Sequence, residues 1–148
     1  MTAPLVGDFT QGDGRSGEVA VRLTATGPVT TVLVRQLGSD SSWWVLGAGA
    51  ADISITSPAW NAKVSSPVVL TGTSVAFEGT VQTQVRQDGA LEPLATGFVT
   101  GGSTQMAPFS GTLAFPAPTE RLGAIVLETI SAKDGSVVQA SVVRIRLR

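Results

Sequence analysis

The chain contains neither histidine nor cysteine. That removes Ser-His-Asp triads, histidine metal ligands, thiolate nucleophiles and the usual general base near neutral pH. Carboxylates are what remain for bond-breaking. Glycoside hydrolysis needs two of them facing each other at about 5 to 9.5 Å, and Glu78 and Glu128 are the two on predicted mid-sheet strands. The plainer reading of Glu78 is a polar-face residue, or one that ties a neighbouring loop through backbone N–H groups. Glu128 interrupts an apolar run, and an unpaired buried carboxylate would cost several kcal/mol. A structural ion pair with Arg86 or Lys133 is therefore the expectation for it.

Asp40, Asp88 and Asp134 could suggest calcium, which needs six to eight oxygens from clustered carboxylates and carbonyls, but their spacing does not support a site. Two of them directly precede Gly, where Asp favours tight turns. Gly97 to Gly102 lacks the Lys and the following helix of a phosphate loop. No catalytic residue, metal or cofactor is expected. The remaining candidates are Trp43, Trp44 and Trp60. Adjacent residues of a strand face opposite sides, so one of Trp43 and Trp44 is expected in the core and the other partly exposed. Exposed aromatic planes bind sugars or protein partners. The alternative is structural: one ring covers the meander and Trp60 seals a domain junction.

The elements that must position these residues read as strands. Of 148 residues 43% are hydrophobic and only 14% charged, which excludes intrinsic disorder. Gly 17 and Pro 8, with abundant Val and Thr, favour short strands between turns. A net charge of −1 gives no electrostatic footprint for nucleic acid or an anionic membrane, so neither is expected as a partner. No run of about 18 apolar residues is present to insert in a bilayer. Met1 to Gly14 is polar and Gly-rich rather than a signal peptide. The chain is thus expected to be cytoplasmic as written, or part of a longer exported protein.

Glu18–Leu23, Thr30–Leu37 and Trp43–Leu46 suit an antiparallel meander, which alone would be marginal and must pack on something. Gly47 to Ala51 reads as a linker or sharp corner. The boundary is placed there, giving an N-terminal meander at 1–51, which has the character of the end of a preceding domain, and a second unit at 52–148. In that unit Phe77, Gly79, Val81, Thr83 and Val85 alternate with Glu78, Thr80, Gln82, Gln84 and Arg86. Gly123 to Thr129 is nearly continuous in apolar character, Asp134-Gly135 is a hairpin turn, and Ser141, Val143, Ile145 and Leu147 oppose Arg144, Arg146 and Arg148. About seven strands with regular turn signals suit a Greek-key sandwich.

Ile53 to Leu147 resembles the immunoglobulin-like domain family associated with bacterial spore-germination and sporulation proteins. The resemblance lies in Ile-Thr-Ser-Pro at 55 to 58, Ser-Ser-Pro-Val at 65 to 68, Thr-Gly-Thr at 71 to 73 and Phe-Glu-Gly-Thr-Val at 77 to 81. Gly-Phe-Val-Thr at 97 to 100, Pro-Phe-Ser at 108 to 110 and Ser-Ala-Lys-Asp-Gly-Ser at 131 to 136 extend it. It implies an immunoglobulin-like β-sandwich in a cell-envelope or secreted protein, with no established catalytic residues. The expected fold is therefore all-β, an immunoglobulin-like sandwich preceded by a short meander. The expected function is a non-catalytic recognition or spacer module for an unidentified protein, with a cell-wall glycan bound by the tryptophans as the alternative. If the Arg-bearing last strand is an edge, its charges discourage open-ended pairing, and a monomer or weak dimer is expected.

Overall fold

The computed structural model describes residues 2–148. Met1, whose standing as a native start the sequence leaves open, lies outside the described residues. Twelve strands follow one another: β1 (Leu5–Gln11), β2 (Ser16–Arg22), β3 (Thr30–Leu37), β4 (Ser42–Ala50), β5 (Ile53–Ser57), β6 (Ala62–Val64), β7 (Val68–Ser74), β8 (Thr80–Gln87), β9 (Ala95–Thr100), β10 (Ala107–Leu113), β11 (Leu122–Ile130) and β12 (Val137–Leu147). They hydrogen-bond as a long path, β1-β2-β3-β4-β12-β11-β8-β9, with β10-β7-β5 as a shorter path joined to it through β4 and β5. Every strand pair is antiparallel except β6 with β12.

The core lies between the two paths and follows from the period of two along each strand. Val81 and Val85 of β8, Ile125 and Leu127 of β11, and Ile145 and Leu147 of β12 face Ile53 of β5, Leu70 of β7 and Phe109 of β10, all buried. At about 25 cal/mol per Å² of apolar surface removed from water, these side chains supply most of the driving force. Gly72 is needed where the layers are tightest. A Cβ there would lie 2.0 Å from the Ser54 carbonyl oxygen and 2.6 Å from the Phe109 ring.

Several expectations are corrected. The loose start contains β1, whose alternation is masked by a bulge. Val6 pairs Val21 and Phe9 pairs Val19, so residues three apart share one face. The expected linker at Gly47–Ala51 is largely strand: β4 runs to Ala50, pairs Val142 and Val143 of β12 through Ala48 and Gly47, and turns at Ala51–Asp52. Leu46 is the extra residue of a second bulge, since Leu33 pairs Gly47 while Val34 pairs Val45. Phe77–Gly79 is a 3₁₀ turn with Glu78 at φ 54°, so the β8 alternation begins at Thr80 and Phe77 is exposed rather than inward. The last strand is not an edge. β12 lies between β11 and β4 and also pairs β6.

Candidate functional site

Alternation along β4 sends Trp43 and Trp44 to opposite sides, as the sequence requires. Neither is core. Trp43 is 51% exposed and Trp44 48%, on the part of β4 that pairs with β3 and lies ahead of the residues that pair with β12 and β5. Trp43 shares its face with the residues that pair across from it or stand two along: Gln36, Val34 and Val32 of β3, Gly17 and Val19 of β2, and Phe9 of β1. Gly17 carries no side chain, and Phe9 lies over it. A Cβ at Gly17 would meet the Phe9 ring at 2.2 Å. Crossing that gap, Phe9 reaches Trp43 in an edge-to-face contact, with centroids 5.5 Å apart and planes at 73°. Phe9, Val34 and Trp43 then line an apolar recess. None of the side chains placed on this face of β2, β3 and β4 is charged, whereas Glu18, Arg22 and Arg35 stand on the other.

Trp44, paired with Arg35, looks to that other side, where Leu33 is also found. A groove of about 610 Å³ opens between this side of the meander and the sandwich, lined by Leu33, Leu46, Ile55, Pro58, Trp60 and Val143 among others. Trp60 borders the groove and is 66% exposed, so it does not seal the junction. The structure therefore does not gather the three tryptophans on one platform.

Glu128 and its expected partners are arranged differently from a simple ion pair. Arg86 donates to the Gln84 amide oxygen at 2.8 Å and to the Leu91 carbonyl at 2.5 Å, while the Gln84 amide donates to Glu128 at 3.5 Å. Gln84 thus stands between the two charges. Burial pushes the Glu128 carboxyl above its ordinary range, and the nearby Arg86 charge opposes that only in part. Lys133 is exposed in the β11–β12 turn, where its backbone N–H donates to Ser131 Oγ at 3.2 Å.

The three turn aspartates are each engaged separately. Asp134 accepts the Ser136 backbone N–H at 3.1 Å and the Thr2 hydroxyl at 2.8 Å, contacts that hold its carboxyl far below the ordinary range. Asp40 accepts from Ser42. Asp88 takes both guanidinium nitrogens of Arg144 at 2.6 Å, a bidentate pair that sequence spacing did not reveal. A second ion pair joins Arg35 to Asp13 at 2.8 Å. Asp13 is lowered well below its ordinary range, first by the Arg15 backbone N–H and then by Arg35. Among the described residues no group of three or more acidic side chains is placed to hold a metal ion, and no helix is long and apolar enough to cross a membrane.

A family profile described as the immunoglobulin-like domain of bacterial spore germination matches residues 52–136. The match begins at the turn after β4 and ends in the β11–β12 turn, although β12 beyond it completes the core through Ile145 and Leu147. No curated protein and no solved structure matches the chain. The match takes in β5–β11 of the two-layer all-β core and more than half of the chain, and the chain belongs to the immunoglobulin-like domain family of bacterial spore germination.

Proposed function

We propose that the chain is a non-catalytic recognition module of the bacterial cell envelope or exterior, and that it docks a protein through the uncharged meander face carrying Phe9, Val34 and Trp43. The observation behind this reading is a contiguous apolar face on which, among the described residues, Phe9, Trp43 and Val45 are all left exposed. Exposed apolar patches of this kind mark interaction sites, and aromatic anchors beside a recess are the usual centres of binding energy. The carboxylates singled out for hydrolysis support a non-catalytic role, since Glu78 sits on an exposed turn and Glu128 takes a Gln84 amide.

The test is a photo-crosslinking amino acid in place of Trp43, introduced in the bacterium that makes the protein. One dominant protein adduct is expected, and it should vanish when the crosslinker stands at exposed Gln82. Only diffuse adducts, equal at both positions, would overturn the reading. A glycan-binding alternative rests on Trp44 and Trp60, which both attend the groove side of the meander. That groove offers sugar hydroxyls few free polar groups, since the Ser141 hydroxyl is already spent on the Ile53 carbonyl at 2.7 Å. Saturable quenching of tryptophan fluorescence by cell-wall glycan fragments, lost in Trp60→Ala, would favour this alternative over protein docking.

A further inference from the structure

The arginines at the end of β12 cannot serve to protect a sheet edge, because β12 is interior to the sheet. Their register offers another role. Arg146 lies between Lys63 of β6 and Leu122 of β11 as direct Cα partners. The Leu147 N–H donates to the Arg121 carbonyl at 2.7 Å, and the Arg148 N–H donates to the Val64 carbonyl at 3.0 Å. Backbone pairing therefore fixes Lys63, Arg121, Arg146 and Arg148 around one recess of about 570 Å³, completed by Leu122 and Leu147.

Four of the six lining residues carry cationic side chains and no lining side chain is acidic. Among the described residues the ion pairs are Arg35–Asp13 and Arg144–Asp88, so none of the four has a carboxylate within ion-pairing distance. Glu120 adjoins Arg121 in sequence but does not line the recess. The polar contact made by this group's side chains is Arg146 Nε donating to the Asn61 carbonyl at 3.1 Å. Lys63 directly opposite Arg146 is a like-charge cross-strand pair, a repulsive arrangement that a bound anion would relieve. Guanidinium forks match phosphate oxygens in pairs, and half-exposed Leu122 places an apolar surface beside them.

We infer that this recess binds a phosphate-bearing polyanion, either the headgroup of an anionic lipid or a soluble phosphate polymer. The small net charge of the chain conceals the site because the cations are concentrated at one end of β12.

The test titrates the chain with inorganic tripolyphosphate by calorimetry at low and raised salt, and separately co-sediments it with phosphatidylglycerol or with phosphatidylcholine vesicles. Saturable binding to tripolyphosphate, weakening steeply with salt, is expected. It should fall about fivefold for each charge removed in Lys63→Gln and Arg121→Gln, while Arg22→Gln leaves it unchanged. Circular dichroism of each variant confirms the fold. Co-sedimentation with phosphatidylglycerol alone assigns the anion to a lipid, and tripolyphosphate binding without it assigns a soluble polymer. No binding to either probe at low salt, or an equal loss in Arg22→Gln, would overturn the inference.

Discussion

Glu128 carries a charge that the fold tolerates rather than uses. Its carboxyl is raised by burial, so the folded state holds the proton more tightly than the unfolded chain does. The sign follows. Stability from this group is fully present below the ordinary value of 4.5, is lost as pH rises through the raised folded value, and stays lost at neutral pH. Glu128→Gln, which mimics the protonated form, is expected to melt at or above the parent at pH 7, by about 1 to 2 °C. The difference should close in acid. A lower melting temperature at pH 7 would instead show that the charge is favourably paired with Arg86. Asp88 is held by two 2.6 Å contacts to Arg144 that are partly shielded from water. Asp88→Asn is expected to cost about 1–2 kcal/mol, read as a fall of about 3 to 6 °C in Tm; no change would mean the pair is fully screened.

At the scale of elements, β4 joins the meander to the sandwich. Its pairing with β12 through Gly47 and Ala48 is supported by the Ala140 N–H donating to Thr30 Oγ1 at 3.0 Å. A chain cut to residues 52–148 is expected to keep a β-sheet circular dichroism spectrum, melt several degrees lower, and self-associate because the N-terminal half of β12 becomes an open edge. Sedimentation velocity and thermal melts would show this, and a species as monomeric and stable as the parent would contradict it.

The strands legible in the sequence were those with unbroken alternation. Val81, Thr83 and Val85 of β8, and Ser141, Ile145 and Leu147 of β12, are buried as their spacing requires. Those misread carry a bulge or a turn. The extra residue in β1 puts Val6 and Phe9 on one face, Leu46 disguises the length of β4, and Glu78 adopts a positive φ where alternation would continue the strand. The Phe9–Trp43 contact depends on Gly17 as a gap between them, and no local pattern announces a pairing across four strands. The Asp88–Arg144 bridge and the basic recess arise in the same way, from register rather than from neighbours in sequence.

Taken whole, the molecule is a sandwich whose larger sheet continues, as β1–β4, beyond its own second layer. The end strands of the long path are β1 and β9, and β1 carries both a bulge and Asp8, features that discourage open-ended pairing. A monomer or weak dimer thus remains the proposal, now on the ground of β1 rather than of β12. The face left open by this arrangement is the basis of the functional proposal, and Trp43 reports on it directly. In a Trp44→Phe, Trp60→Phe variant, the remaining tryptophan is expected to emit at long wavelength and to be quenched readily by acrylamide across protein concentration. Blue-shifted emission that resists acrylamide at every concentration would contradict an open face.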